Sequence, residues 1–291
     1  MAPFKVIVIG AGLAGGLLSN GLLHNNVDFT VYESDERNSK REGYQIRLGS
    51  PALVGFKACL TQDQQVTLYK MFGRSGGMIS SAPIFYDTQL NKLLDLTKFP
   101  AYTKSAPINR VLLRSFFQEP LDVAGRIQFN KRFQGYEILP QFGDAPSRVR
   151  VSFRDGTVDE CDLLISAEGS VSKANTQIGL NNIVQLRGRW VFLAKGSLPA
   201  EKLMRLTPEV RQAPMMVIKD GIVLFYSAYL PDGFRTKDPD AKQGEVDYDE
   251  DLASLFWGLQ IPQDLCPEDP RKLENKIEFC LDKIKTWDPQ L

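Results

Sequence analysis

Residues 6–16 read VIVIGAGLAGG, and together with VYE at 31–33 they decide the fold. The β-branched run that ends at Ile9 predicts a strand buried on both faces of a parallel sheet. The apolar residues between 13 and 23 have helical spacing, and residues 27–33 predict a second strand. The chain therefore begins with a βαβ unit, which places it in the α/β class.

Three glycines follow the first strand as a GxGxxG motif: Gly10, Gly12 and Gly15. Gly10 suits a tight turn, Gly12 allows a pyrophosphate to approach the backbone, and Gly15 allows the helix to pack closely on the strand. The free N–H groups at the start of the helix would bind the phosphates. Glu33 ends the second strand, where its carboxylate can accept hydrogen bonds from a ribose and would repel a 2′-phosphate. We therefore expect FAD or NAD rather than NADP.

Composition narrows the possible functions. The 291 residues suffice for two domains, and the formal net charge of zero argues against a nucleic-acid-binding protein. No stretch approaches the ~20 apolar residues of a membrane span, so none is expected. The single histidine, His24, excludes metal sites that need two histidines, and we expect no metal. Four well-separated cysteines without a CxxC motif predict reduced thiols and a cytoplasmic protein.

The rest of the chain predicts a second sheet. Asp155-Gly156 lies between two short strands, a strong hairpin signal, and a strand at 162–166 follows. Further expected elements are a loop at 34–49, helices within 50–72 and at 109–121, strands within 75–92 and at 190–196, 214–219 and 222–229, a polar loop at 231–246, and helices at 248–259 and 270–287.

Several segments carry a resemblance to one family: VIVIGAGLAGGLL with VYE, REGYQIRL at 41–48, INRVLLRSFF at 108–117 and VSFRDGTVDECDLLISAEG at 151–169. Over residues 4–183 the chain resembles the class A flavoprotein monooxygenases of the p-hydroxybenzoate hydroxylase type, above all their fungal secondary-metabolism branch. The resemblance implies a Rossmann-like FAD-binding domain (1–72 and 105–183) with an antiparallel-sheet substrate domain (73–104 and 184–291). It places Arg41, Arg110, Glu168 and Gly169 beside the cofactor.

The family activity would be hydroxylation or epoxidation of a hydrophobic small molecule, with NADH or NADPH as the reductant. The flavin performs this chemistry, so no catalytic side chain is identified. The family has aspartate where Glu168 stands and arginine where Asn175 stands. The family also has a second Gly-Asp motif, which follows the substrate sheet and completes the flavin site. The Gly143-Asp144-Ala145 segment of this chain is not that motif, because it precedes the hairpin. The resemblance thus implies a member shortened at its C-terminal end, with an incomplete flavin site that a partner chain could complete.

Two alternatives stay open at this point. A cofactor-independent cyclase or pericyclase would need an apolar cavity and a few hydrogen-bond donors. A set of aromatic residues could line such a cavity or simply form sheet core: Phe85, Tyr86, Phe192, Phe225, Tyr226 and Tyr229. The other alternative is a non-catalytic remnant or binding subunit.

Overall fold

The computed structural model describes residues 4–39, 45–73, 81–102, 104–140, 147–180, 183–197, 199–229 and 253–291. The chain divides into two compact units. Unit 1 comprises Met1–Arg41, Ala52–Tyr69 and Val111–Val184, and unit 2 comprises Glu42–Pro51, Lys70–Arg110 and Gln185–Leu291. The assignment of cofactor and substrate binding to separate domains stays a prediction.

The described strands are β1 Lys5–Ile9, β2 Asp28–Tyr32, β3 Gln45–Leu48, β4 Ile84–Tyr86, β5 Lys92–Asp95, β6 Ala106–Asn109, β7 Ile127–Gln128, β8 Phe133–Leu139, β9 Arg148–Phe153, β10 Val158–Cys161, β11 Leu163–Ser166, β12 Arg189–Ser197, β13 Met215–Lys219, β14 Ile222–Tyr229 and β15 Ser254–Pro262. The α-helices are α1 Leu13–His24, α2 Ser50–Cys59, α3 Gln62–Lys70, α4 Arg110–Val123, α5 Lys173–Gln177, α6 Ala200–Met204, α7 Pro208–Arg211 and α8 Lys276–Ile284. None of these described helices is long and apolar enough to cross a bilayer.

Unit 1 is built on a parallel sheet with the strand order β11-β1-β2-β7. One face packs under α1 and α4, where Val6, Val8 and Leu121 share a core cluster. The other face packs under the antiparallel sheet β10-β9-β8, where Ile7 and Phe153 share a second cluster. The βαβ unit, the strand β1 buried on both faces and the α/β class are therefore confirmed.

Unit 2 contains a six-stranded sheet with the order β12-β15-β14-β13-β4-β5. Every pairing is antiparallel except that between β13 and β4. Helix α8 covers one face, because its Cys280 and Ile284 join Leu224 and Leu259 of the sheet in one core cluster. A separate two-stranded pair, β3 and β6, belongs to the same unit.

The prediction of a helix at 248–259 is wrong, because the described part of this segment contains the start of β15. Nine residues of β15 pair with β12 on one side, and the strand pairs with β14 on the other. These ladders override a local pattern that reads equally well as helical. The prediction of a loop at 34–49 is wrong for Gln45–Leu48, because these residues form β3, which pairs with β6. The helix expected at 270–287 is shorter, since Asn275 caps α8 by accepting the N–H of Glu278 at 3.0 Å. The loop at 231–246 lies outside the described residues.

Asp159 joins three strands of unit 1. Its carboxylate lies 2.6 Å from the Lys5 ammonium of β1 and accepts the Tyr32 hydroxyl of β2 at 2.7 Å. Burial raises the pKa of this carboxyl, but the bonds from Lys5 and Tyr32 outweigh it and leave the pKa below its ordinary value. Burial and the bond to Asp159 in turn raise the pKa of the Tyr32 phenol well above its usual range.

Asp159→Asn is expected to lower the free energy of unfolding at neutral pH by about 1–3 kcal/mol, because the lysine loses a charged partner. Since the folded-state pKa of Asp159 is depressed, its contribution is present above the unfolded pKa of about 3.9 and is lost as pH falls below it. Urea unfolding at several pH values should therefore show a shallower acid loss of stability in the variant. Asp63→Asn, at an exposed site of the same unit, is the control; equal pH profiles for Asp159→Asn and wild type would contradict the assignment.

Candidate functional site

The glycine-rich turn between β1 and α1 leaves no room for side chains at two positions. Gly10 has φ +97°, and a Cβ there would lie 2.6 Å from the carbonyl oxygen of Ala167. A Cβ on Gly15 would lie 1.9 Å from the carbonyl oxygen of Gly10. These two glycines let the turn fit between β2, whose Tyr32 carbonyl accepts the Gly10 N–H at 2.8 Å, and the end of β11.

Gly12 differs from both, because a Cβ built on it meets no atom within 4 Å. It is the N-cap of α1, and no side chain caps the helix there. The first turn of α1 also carries no acidic residue. The start of α1 is therefore an open, uncapped helix N-terminus, the geometry that binds phosphate groups.

Glu33 follows β2 and reaches back to the turn. One carboxylate oxygen accepts the N–H of Ala11 at 2.7 Å. The other accepts the N–H of Asp35 at 2.9 Å and the hydroxyl of Ser34 at 3.1 Å. A carboxylate offers about four acceptor positions, so one is left for a further donor such as a ribose hydroxyl. Glu33 thus holds the turn in addition to the ribose role predicted from the sequence, and that role stays a prediction.

Two side chains of α4 complete the surroundings of the turn, and sequence reasoning missed both. Gln118 donates to the carbonyl oxygen of Ala11 at 2.7 Å. Because Glu33 accepts the N–H of the same residue, both backbone polar groups of Ala11 are bonded to side chains. Arg114 donates to the Ser39 carbonyl and lies 3.7 Å from the Asp35 carboxylate. Its Nε is buried without a hydrogen-bond partner. Their spacing of four residues, which puts them on one face of α4, was a usable signal.

Glu168 follows β11 and turns toward α5. Its carboxylate accepts the hydroxyl of Ser172 at 2.9 Å, the hydroxyl of Ser166 at 3.0 Å and the N–H of Ala174 at 3.1 Å. These bonds give the Ala174 N–H at the start of α5 a hydrogen-bond acceptor and hold Ser172, the N-cap of this short helix. Gly169 has φ +81° with open space around it. Cofactor contacts by Glu168 and Gly169 stay a prediction, and for Glu168 such a contact would be shared with its capping bonds.

The remaining predicted residues are placed as follows. Arg41 and the Gly143–Ala145 segment lie outside the described residues. Arg110 is the first residue of α4 and belongs to unit 2, whereas the glycine-rich turn and Glu33 belong to unit 1. The structure thus brings together Gly10, Gly12, Gly15 and Glu33 at one turn. The roles of Arg41 and Arg110 at the cofactor stay predictions.

In unit 2, a row of apolar residues crosses the sheet face opposite α8. Residues paired across the strands share a face, and one row of pairs crosses all six strands. The members of this row, which we call the apolar row, are Leu193, Gly258, Phe225, Met216, Phe85 and Leu94. Phe225 also packs edge-on against Phe256, with ring centroids 5.8 Å apart. By contrast, Tyr86 and Tyr226 lie in the core under α8, so the predicted aromatic set divides between the two faces.

The chain is similar in sequence to fungal FAD-dependent monooxygenases. It is 30% identical over 175 residues to FAD-dependent monooxygenase dbaB of Emericella nidulans, covering 58% of this chain and 40% of that protein. It is 27% identical over 174 residues to FAD-dependent monooxygenase sor5 of Hypocrea jecorina, covering 60% of this chain and 36% of that protein. The chain therefore covers less than half the length of these curated relatives. No protein-family model matches it.

Solved structures share the fold. A crystal structure described as that of a FAD-containing monooxygenase from Photorhabdus luminescens superposes with a TM-score of 0.75 at 22% identity, over 99% of this chain and 71% of that one. The crystal structure of CtdE in complex with FAD gives a TM-score of 0.65 at 16% identity, over 99% of this chain and 67% of that one. The chain is thus similar in sequence, over 58–60% of its length, to fungal FAD-dependent monooxygenases and has the fold of a FAD-containing monooxygenase.

Proposed function

We propose that the chain binds FAD through the turn between β1 and α1 and acts in flavin-dependent monooxygenation of an apolar small molecule. The open start of α1 at Gly12, beside a Glu33 carboxylate with acceptor capacity left, is the observation that carries this proposal. A bound flavin would activate dioxygen after reduction, and the proposed reductant is NADH or NADPH.

The residues of the chain would bind and orient the cofactor. N–H groups at the start of α1 would donate hydrogen bonds to the pyrophosphate oxygens, and the positive end of the helix dipole would favour their negative charge. Glu33 would accept a ribose hydroxyl while its bonds to Ala11 and Asp35 fix its position. Gln118, by holding the Ala11 carbonyl, would keep the turn in its binding conformation.

The apolar row supports an apolar substrate. Phe225, Met216 and Phe85 are only partly buried, although the row crosses the middle of the sheet. Gly258 adds no side chain of its own, and the Leu193 side chain fills the space beside it, since a Cβ on Gly258 would lie 3.1 Å from the Leu193 Cδ2 atom. A flat apolar molecule resting on this face would remove the row from water, which is favourable. We propose a cytoplasmic location, supported by four free cysteines among the described residues.

Gly12→Ala is expected to lower the affinity for FAD at least about tenfold without unfolding the protein, because the new methyl occupies the space left for the pyrophosphate but touches no protein atom. The measurement is titration of the purified apoprotein with FAD, followed by flavin absorbance and fluorescence. Gly135→Ala, in β8 of the same unit, is the matched control, since its Cβ would meet only the end of the Gln177 side chain at 3.3 Å.

If the wild-type protein takes up no FAD, the proposed cofactor is contradicted. Equal FAD affinity in the parent and in Gly12→Ala would instead show that FAD binds elsewhere. Substrate oxidation can then be assayed with NADH or NADPH and a panel of aromatic compounds, with flavin-dependent oxygen incorporation as the readout.

A further inference from the structure

A cavity of about 260 Å³ lies beside the strand β12 of unit 2. Residues 190–194 of β12 line it on one side, and residues of α8 and of the turn at 270–272 line it on the other. We call this space the edge cavity, because β12 is the outermost described strand on its side of the sheet. Cys280 of α8 lines the cavity and belongs to the core cluster between α8 and the sheet. The edge cavity therefore lies on the α8 side of the sheet, whereas the apolar row crosses the opposite face.

The walls of the edge cavity suit a flat aromatic molecule. Apart from two cationic residues, every residue that lines it is apolar, and Trp190, Phe192 and Trp257 supply aromatic rings. Aromatic side chains pack favourably against other rings. An apolar cavity of ~150 Å³ is enough for benzene. The larger volume of the edge cavity therefore leaves room for a molecule with two fused rings.

The first of the two cations at the edge cavity is Arg271. Asp269, which does not line the cavity, accepts the Nε–H of Arg271 at 2.8 Å and one terminal N–H at 3.2 Å. A guanidinium has five N–H groups, so three are left, and these have no acceptor among the residues that the structure describes. The guanidinium carbon lies 6.0 Å from the centroid of the Trp190 ring. Arg271 thus stands beside an aromatic wall of the cavity with donors left for a ligand.

The second cation is Lys276, the first residue of α8, where the helix dipole disfavours a positive charge. Its ammonium donates to the Leu273 carbonyl at 3.1 Å and forms no ion pair within the described part of the chain. Glu278, the acidic residue in the first turn of α8, does not line the cavity. Because Asp269 offsets only the charge of Arg271, the edge cavity keeps a net positive charge, which an anionic ligand would complement.

We propose that the edge cavity binds a small aromatic carboxylate. The ring of this ligand would lie against Trp190 and Phe192, where it leaves water. The edge of the Arg271 guanidinium that Asp269 does not occupy would donate two parallel hydrogen bonds to the ligand carboxylate, a geometry that matches guanidinium to carboxylate. Lys276 would add a second charged donor. The site is separate from the surface proposed for the substrate, and it does not depend on a bound flavin.

The test measures binding of 2-naphthoate, a two-ring carboxylate, to the full chain by isothermal titration calorimetry without added flavin. Saturable binding of one molecule per chain is expected. The neutral counterpart 2-naphthamide should bind at least about tenfold more weakly, because it loses the charge that strengthens the hydrogen bonds. In spectra of ¹⁵N-labelled protein, 2-naphthoate should shift the indole N–H signals of Trp190 and Trp257. The third tryptophan, Trp287, does not line the cavity, so its signal should move less.

Three variants locate the site. Lys276→Gln, at an exposed position, should weaken binding of 2-naphthoate about tenfold and leave binding of 2-naphthamide unchanged, because it removes only the charge. Ala194→Leu should weaken binding of both compounds, since the larger side chain occupies space in the cavity. Lys285→Gln is the matched control. Lys285 is the C-cap of α8 and does not line the edge cavity, so both affinities should stay as in the wild type.

Three outcomes would overturn the proposal. Absence of 2-naphthoate binding to the wild-type chain would mean that the cavity is not a site for such a ligand. Equal affinities for 2-naphthoate and 2-naphthamide would mean that the two cations do not recognise an anion. Undiminished binding of 2-naphthoate to Ala194→Leu would place the ligand elsewhere, as on the apolar row. None of these readouts requires FAD, so failure here and failure of the proposed cofactor are distinguishable.

Discussion

Gly15→Ala is expected to lower the free energy of unfolding by about 3 kcal/mol, the upper range for overpacking a close contact. The new Cβ would lie 1.9 Å from the carbonyl oxygen of Gly10 and 3.0 Å from the Cβ of Ala167. The first of these atoms belongs to the backbone of the turn, so it cannot rotate away as the end of a side chain would. Either α1 moves off the sheet or the turn opens.

Chemical unfolding in urea, followed by circular dichroism, measures the change. Gly12→Ala is the matched control in the same motif, because its Cβ would meet nothing within 4 Å. The two substitutions add the same methyl group three residues apart, yet the one at Gly15 should lower stability by much more than the one at Gly12, where alanine only replaces glycine as the N-cap. If both variants unfold at the parental urea concentration, the close approach of α1 to the turn is not present in solution.

The contrast between these glycines shows what the sequence could predict. The spacing of GxGxxG, between a strand and a helix, was enough to predict the turn and the close helix packing. The strand at Leu163–Ser166 was likewise predictable from its apolar run before Glu168. These features depend on residues near one another in the chain, where pattern and local geometry coincide.

Features set by distant partners were not predictable. β15 resembles a helix locally, and only its ladders with β12 and β14 make it a strand. Gln118 bonds to the Ala11 carbonyl across 107 residues of sequence, which no local pattern records. Glu168 was interpreted through the aspartate that stands at its place in the family. Its bonds to Ser172 and Ala174 show that a longer side chain can cap α5 instead.

Glu33→Ala is expected to weaken FAD binding about ten- to a hundredfold and to lower stability by about 2 kcal/mol. A hydrogen bond to a charged group contributes about 1.5–3 kcal/mol, which accounts for the loss of affinity. The loss of stability has a separate cause, since the Ala11 and Asp35 N–H groups would both lose their acceptor. Glu36→Ala, at an exposed position of the same loop, is the control for both measurements.

Glu33→Gln separates these two roles of the side chain. The amide keeps the length of glutamate and one acceptor oxygen, so part of the turn's support survives, but the negative charge is lost. Calorimetric titration with ADP and with adenosine 2′,5′-bisphosphate should show a preference for ADP in the parent that shrinks in Glu33→Gln, because the repulsion of the 2′-phosphate disappears. An unchanged preference, together with reduced stability, would mean that Glu33 serves only the turn. The ribose contact would then have to come from a different residue, while the open start of α1 would still account for binding of the pyrophosphate.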